Sequence, residues 1–252
     1  MIIFWALLRR ELGTFFLSWT GYVILAAVML LTGGSFVQLI NALGTTPWLM
    51  PVTQMFFGTY FIWSIIILTA PMLTMRLFAL EKASGTFETL MTTQVSDLQV
   101  VIAKFTAALI MYMVIWLPLL IDLFIVNRYS NQAHAMDYSI VSGMYLGILL
   151  TGVMFLSFGC LASALTRSQM VAAMVSIAFS FGQFILASWA RNQSFAAGDD
   201  WQSQILARLN LIDQMTDFAR GVVDTRTVIF YLSVTFLFLF LTLRVVESRR
   251  WK

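Results

Sequence analysis

Residues 76–104 read RLFALEKASGTFETLMTTQVSDLQVVIAK, the longest charged and polar passage between two hydrophobic stretches in the first half of the chain. Leu80, Ala83, Phe87, Leu90 and Met91 recur at three- and four-residue spacing, which predicts one apolar helical face. Glu81, Gly85 and Glu88 fall on a different face, because seven residues make almost two helical turns. The pattern predicts a helix that rests its apolar side on a membrane surface or on its own bundle. Its other side turns two carboxylates, with a glycine between them, toward the cytoplasm. A solvated face on an ordinary loop helix would show the same spacing. Gly85 costs roughly 1 kcal/mol relative to Ala inside a helix, so the passage is expected to divide into two short helices hinged there.

On either side of this passage the chain reads as membrane. It has 252 residues, 60% hydrophobic and 11% charged, whereas a soluble domain carries about 25% charged residues. Such a chain lacks the polar surface to cover itself, which predicts a polytopic membrane protein. Six stretches are long enough to cross a bilayer, which takes about 20 residues: 16–40, 52–75, 100–126, 138–166, 168–190 and 227–246. Pro118 predicts a kink in the third, because a backbone carbonyl loses its partner there. Residues 2–14 place apolar residues before Arg9 and Arg10, the reverse of a secretory signal, and read as an interfacial helix.

Local signals mark the helix ends. Ser96-Asp97-Leu98-Gln99 reads as a capping box opening span 3, and Thr166-Arg167-Ser168-Gln169 as one opening span 5. In the long segment 191–226, Asp199 and Asp200 are placed to cap a helix running to about Leu209. Ile212, Met215, Phe218 and Ala219 keep helical spacing up to Gly221, a C′ residue by type, and Asp224 is placed to cap span 6. These read as short amphipathic outer helices lying on the leaflet, or as a packed outer loop. Gly143, Gly147 and Thr151 form a small-residue ridge on span 4, expected to admit a close neighbour within the subunit in preference to a dimer partner.

Of the 15 Lys and Arg residues, ten (Arg9, Arg10, Arg76, Lys82, Lys104, Arg167, Arg244, Arg249, Arg250, Lys252) lie on the side of the termini and five on the other. The positive-inside rule then places both termini in the cytoplasm. The basic residues are spread between spans with no single patch, which argues against nucleic acid as a partner. Chemistry is sparse. The single cysteine, Cys160, excludes an intramolecular disulfide and a cysteine metal site, and the single histidine, His134, lies in a polar loop. No Gly precedes a Lys, so no phosphate-cradling P-loop is present. Asp122 is the one acid near a span interior, expected to pair with Arg128 near the outer end of span 3. No chain of acids suits a proton-coupled carrier, and no cluster of acid, His and nucleophile suits a lipid-modifying intramembrane enzyme.

The string Glu81-Lys82-Ala83-Ser84-Gly85-Thr86-Phe87-Glu88-Thr89-Leu90, on this topology, resembles the ABC-2 type transporter permeases. In that family a Glu-Glu pair leads into Gly-Thr-x-Glu-x-Leu, then Pro-Val-Ser before span 3. Arg10-Glu11-Leu12 resembles the family's N-terminal interfacial helix, and the run from Ser163 to Gln169 its turn between spans 4 and 5. Phe218-Ala219-Arg220-Gly221-Val222-Val223-Asp224 is most similar to the gliding-motility-associated subgroup. The resemblance covers essentially the whole chain. Lys82 stands where the family usually has its second Glu, which tells against any contact needing adjacent carboxylates, and Gln94 stands where it has Pro, which is expected to loosen the turn into span 3.

The resemblance implies an all-α polytopic membrane protein of one domain: six spans, an N-terminal interfacial helix, a coupling helix between spans 2 and 3, and short outer helices between spans 5 and 6. It implies the permease subunit of an exporter in a bacterial inner membrane, working as a dimer with an identical or homologous permease on two ABC ATPase subunits. Those ATPases would bind ATP and Mg²⁺; this chain would bind no cofactor and catalyse nothing. Glu81, Gly85, Thr86, Glu88 and Thr92 would meet the ATPase, and ATP-driven closure would swing spans 1, 2 and 5. The alternative is a non-transporting membrane scaffold that docks a cytoplasmic partner through residues 76–104.

Overall fold

A computed structural model describes residues 2–45, 52–86, 96–129, 138–194 and 210–248. Among these the chain is nearly all helix, with no strand. The helices are α1 (Ile2–Phe16), α2 (Trp19–Thr45), α3 (Val52–Phe57), α4 (Tyr60–Thr74), α5 (Ala79–Ser84), α6 (Asp97–Ile115), α7 (Leu117–Tyr129), α8 (Tyr138–Leu165), α9 (Gln169–Ser194), α10 (Leu211–Ala219) and α11 (Thr225–Ser248). Among the described residues, six segments are long and apolar enough to cross a membrane: Trp19–Ala42, Phe61–Ser84, Asp97–Arg128, Tyr138–Leu165, Gln169–Ala190 and Thr225–Ser248. The chain is therefore a multi-pass membrane protein.

The bundle is built around α8. Its apolar stretch is 83% buried, against 17% for α11 and 22% for α2 and α9. It packs against α3, α4, α5, α6, α9, α10 and α11. Small residues make this possible, since apolar burial gains little in a solvent that is itself hydrocarbon and close backbone approach decides helix packing. A Cβ at Gly152 would lie 2.2 Å from the Tyr112 ring, and one at Gly159 would lie 2.1 Å from Thr74 Oγ1. The outer helices instead turn Leu30, Phe124, Met174 and Phe236 outward, as a lipid-facing surface requires.

The predicted ridge is an intrasubunit seat. A Cβ at Gly143 would lie 3.0 Å from Phe218 O, and one at Gly147 would lie 2.9 Å from Phe218 Cβ. Thr151 is fully buried and its hydroxyl faces Met215 Sδ at 3.4 Å. The occupant is α10, which is amphipathic as its spacing predicts but is packed onto the bundle, burying Leu211, Met215, Phe218 and Ala219. Thr53 Oγ1 donates to Ala219 O at 2.6 Å, and Arg220 Nε to Gln54 Oε1 at 3.1 Å, tying α3 to the end of α10. Gly221 takes the left-handed φ of +80°, and Asp224 Oδ1 accepts from Arg226 N at 2.9 Å to open α11. The run from Phe218 to Asp224 is thus a packing and capping device. The helix expected over residues 199–209 lies outside the described residues.

Three expectations about the spans are corrected. Span 2 is not continuous from residue 52: α3 stops at Phe57, and Gly58-Thr59 breaks the helix before α4. Span 5 starts at Gln169, later than the predicted capping box; the Thr166 hydroxyl donates to Ala162 O and Ser168 O instead of accepting a backbone N–H. No ion pair joins Asp122 to Arg128 among the described residues, and Asp122 Oδ2 is out of solvent without a hydrogen-bond partner. Two signals hold as read. Ser96 caps α6 by accepting from Gln99 N at 3.4 Å. Span 3 breaks at Trp116, two residues before Pro118, where Tyr145 Oη donates to the Trp116 carbonyl at 2.9 Å.

Candidate functional site: the junction of α1, α5 and α6

Three elements converge where span 2 leaves the bundle. The first is α1, which buries Leu8, Glu11 and Phe15 and packs them toward α6. The second is α6, which brings Lys104 two turns inward from its Ser96 cap, with a side chain only 3% exposed. The third is α5, a helix of six residues stopped by Gly85 at φ +74°. That φ lies in the left-handed region, which glycine enters without steric cost. The hinge expected at Gly85 is therefore a helix stop.

A four-membered charge cluster joins the three. Glu81 Oε1 accepts from Arg10 Nη2 at 2.8 Å and from Lys104 Nζ at 2.9 Å. Glu11 Oε1 accepts from the same two cations, at 2.7 and 3.0 Å. Two cations thus alternate with two carboxylates, and the cluster is neutral. Lys104 and Glu11 lie inside, whereas the Arg10 side chain is 48% exposed. Burial pulls the Arg10 pKa down, but the hydrogen bond and charge of Glu11, and then Glu81, outweigh it, so the guanidinium is raised above its ordinary value.

A second set of bonds fixes α5 to the end of α8. Lys82 is buried, and its Nζ donates to the Ala164 carbonyl in the last turn of α8. A cation there meets unpaired carbonyls and the negative end of the helix dipole. Ser163 Oγ accepts from Phe78 N and Ala79 N, both at 3.1 Å. Lysine at position 82 is thus explained by its partner: a glutamate would bring a negative charge to the same carbonyls.

The sequence-predicted residues divide accordingly. Glu81 points back at α1 and α6, with its side chain 17% exposed. Gly85 and Thr86 are exposed, and a Cβ at Gly85 would meet nothing within 4 Å. Glu88, Thr92, Phe87 and Leu90 lie outside the described residues. The expected apolar anchor face is reversed in its described part. Leu80 is 45% exposed and Ala83 is exposed, whereas Ala79 and Lys82 are buried. Hydrogen bonding from Lys82 and Ser163, rather than apolar spacing, sets the rotation of this helix. Lys104 was not singled out by sequence reasoning; a lone lysine two turns into an apolar span was the available signal.

The profile of the ABC-2 family transporter proteins matches residues 5–246, from within α1 to the last turn of α11. The chain belongs to the ABC-2 transporter family. The match takes in α1, α5 and α6, so the junction lies inside the family domain. No curated protein matches the chain.

Proposed function

We propose that this ABC-2 family chain is the permease subunit of an exporter powered by separate ABC ATPase subunits. It pairs with a second permease, identical or homologous, and the ATPases supply ATP, Mg²⁺ and all the hydrolysis. The observation that carries the reading is the family match over the whole six-span bundle, with a polar passage between spans 2 and 3 that is tied into that bundle. The ten-to-five Lys and Arg asymmetry supports cytoplasmic termini, and an inner-membrane location follows from the same reading. The run from Phe218 to Asp224 supports the gliding-motility-associated subgroup.

The junction gives the coupling step a physical route. Gly85, Thr86, Glu88 and Thr92 are the residues that would meet the ATPase in this reading. Glu81 ties α5 internally, through Arg10 and Lys104. A push on α5 would be transmitted to α1 and α6 through the charge cluster and to α8 through Lys82 and Ser163. A remote ligand then biases a rigid-body switch between inward- and outward-facing arrangements.

The test compares Glu88→Ala, Gly85→Leu and Phe87→Ala in complex recovery and transport-coupled ATPase rate, against thermal stability of the isolated permease. Truncating one partner of a buried interfacial charge pair costs about 2–5 kcal/mol. Glu88→Ala and Gly85→Leu are expected to lose assembly or coupling while the permease stays folded, and Phe87→Ala to lower permease stability. If the first two match wild type in both assembly and coupling, the face is merely solvated. A passage that docks a non-ATPase partner would then be the better reading.

A further inference from the structure

Ser163 and Lys82 tie α5 to the end of α8, and α5 packs against α9 as well. The turn from α8 into α9, residues 166–168, therefore flanks α5. Around this turn Leu165 and Met170 are 55% and 73% exposed, and Leu80 on α5 is exposed too. Arg167, at the turn itself, is exposed and has no hydrogen-bond or ion-pair partner. The end of α8 does not require this cation, because Lys82 Nζ already donates to the Ala164 carbonyl. The acids on the side assigned to the cytoplasm do not answer it either. Glu11 and Glu81 are held by Arg10 and Lys104, Asp97 is buried, and Glu247 pairs with Arg244 at 3.0 Å. The surface beside α5 thus mixes exposed apolar side chains with one free guanidinium, and among the described residues it offers no free carboxylate.

We infer that the α8–α9 turn is a second docking surface for the ATPase subunit, on which Arg167 meets a carboxylate of the ATPase. The inference rests on the proposed function, in which an ABC ATPase serves this chain, and it names the chemistry of that partner's face. The charge runs opposite to the sequence expectation, in which outward carboxylates of the permease would meet cations. Arg and Met are enriched at protein interfaces, and a guanidinium binds a carboxylate in a two-pronged geometry that fixes orientation. A bilayer surface is the other class of partner that a free cation on this side can serve. The tie between α5 and the end of α8 favours the ATPase, because a partner pressing on α5 also reaches the turn beside it. Force applied at the turn passes straight into α8, the helix around which the bundle is built, and into α9.

The test uses the full chain, tagged and expressed in its own cells. A photo-crosslinking amino acid is placed at Ser168, with Ser248 as the control position, and crosslinked peptides are identified by mass spectrometry. Irradiation should join position 168 to an ABC ATPase, recognised by its P-loop, at a peptide that carries Asp or Glu; position 248 should not join to it. Recovery of the ATPase with the tagged chain is then compared across charge variants. Arg167→Glu sets like charges against each other and should lower recovery at least about tenfold. Arg167→Lys keeps the charge without the fork and should stay within about threefold of wild type. Arg9 is equally free of partners and shares a helical face with the exposed Trp5, so Arg9→Glu serves as the control for general surface charge and should match wild type. All three variants should melt with wild type, since neither arginine makes a contact to lose. If wild type recovers no ABC ATPase, the proposed function fails and the inference with it. If wild type recovers one, the inference alone is overturned in three cases: Arg167→Glu recovers as much, Arg9→Glu loses as much, or position 168 joins only lipid. The last result would assign the turn to the membrane surface.

Discussion

Lys104→Met is the most informative single change. The Lys104 side chain is 3% exposed, and Nζ contacts Glu11 Oε1 at 3.0 Å and Glu81 Oε1 at 2.9 Å. Methionine keeps the apolar stem but leaves two inward carboxylates with one cation between them. Removing one partner of a buried ion pair costs about 3–5 kcal/mol, because the remaining charge is uncompensated. Arg10 still holds both carboxylates, at 2.7 and 2.8 Å, but its half-exposed side chain compensates only in part. The expected loss is therefore near the lower end, about 3 kcal/mol, or a Tm lower by roughly 6–12 °C for a domain of this size. The assay is thermal unfolding in detergent, with Arg10→Ala, Glu81→Gln and the double variant Glu81→Gln/Lys104→Met alongside. Arg10→Ala should cost about 1 kcal/mol or less, since exposed pairs are screened. The double variant leaves Arg10 and Glu11 as a balanced pair and should melt above Lys104→Met, with a coupling energy of about 1–3 kcal/mol. A Lys104→Met protein that melts with wild type would refute this account of the junction. So would a double variant whose loss is the plain sum of the two single losses.

Three further outcomes follow from the geometry. Lys82→Glu should detach α5 from the end of α8; faster proteolysis of the 76–104 passage, with the rest of the bundle intact, is the measurement. Gly147→Leu forces a side chain into the Phe218 position and should cost at least about 1–3 kcal/mol by overpacking, read as a lowered Tm, whereas Gly182→Leu, with nothing near its Cβ, should be near neutral. In a Cys160→Ala background, an impermeant thiol reagent on intact cells should label a cysteine at Ser194 and spare one at Ser248; the opposite pattern would invert the orientation.

Much of the fold was legible because its causes are local. A run of about 20 apolar residues must cross a bilayer as helix, whatever surrounds it. The stops at Gly85 and Gly221, the Ser96 cap and the break before Pro118 each follow from one residue's backbone chemistry. The small-residue ridge at Gly143, Gly147 and Thr151 announced a close neighbour, and α10 is that neighbour. The candidate site was legible in outline only. Its position between spans 2 and 3 was in the sequence, but the helical spacing assigned Leu80 and Ala83 to the wrong side of α5.

The central place of α8 was decided by tertiary structure alone. In lipid, inward and outward surfaces are both apolar, so hydrophobic periodicity no longer separates core from exterior. The same holds for Glu81. Its partners lie 71 residues before it and 23 after it, on helices whose own patterns give no sign of each other. Only the packing of α1 against α6 brings Arg10, Glu11 and Lys104 to one place. That packing turns a carboxylate with the spacing of an outward-facing group into an internal tie.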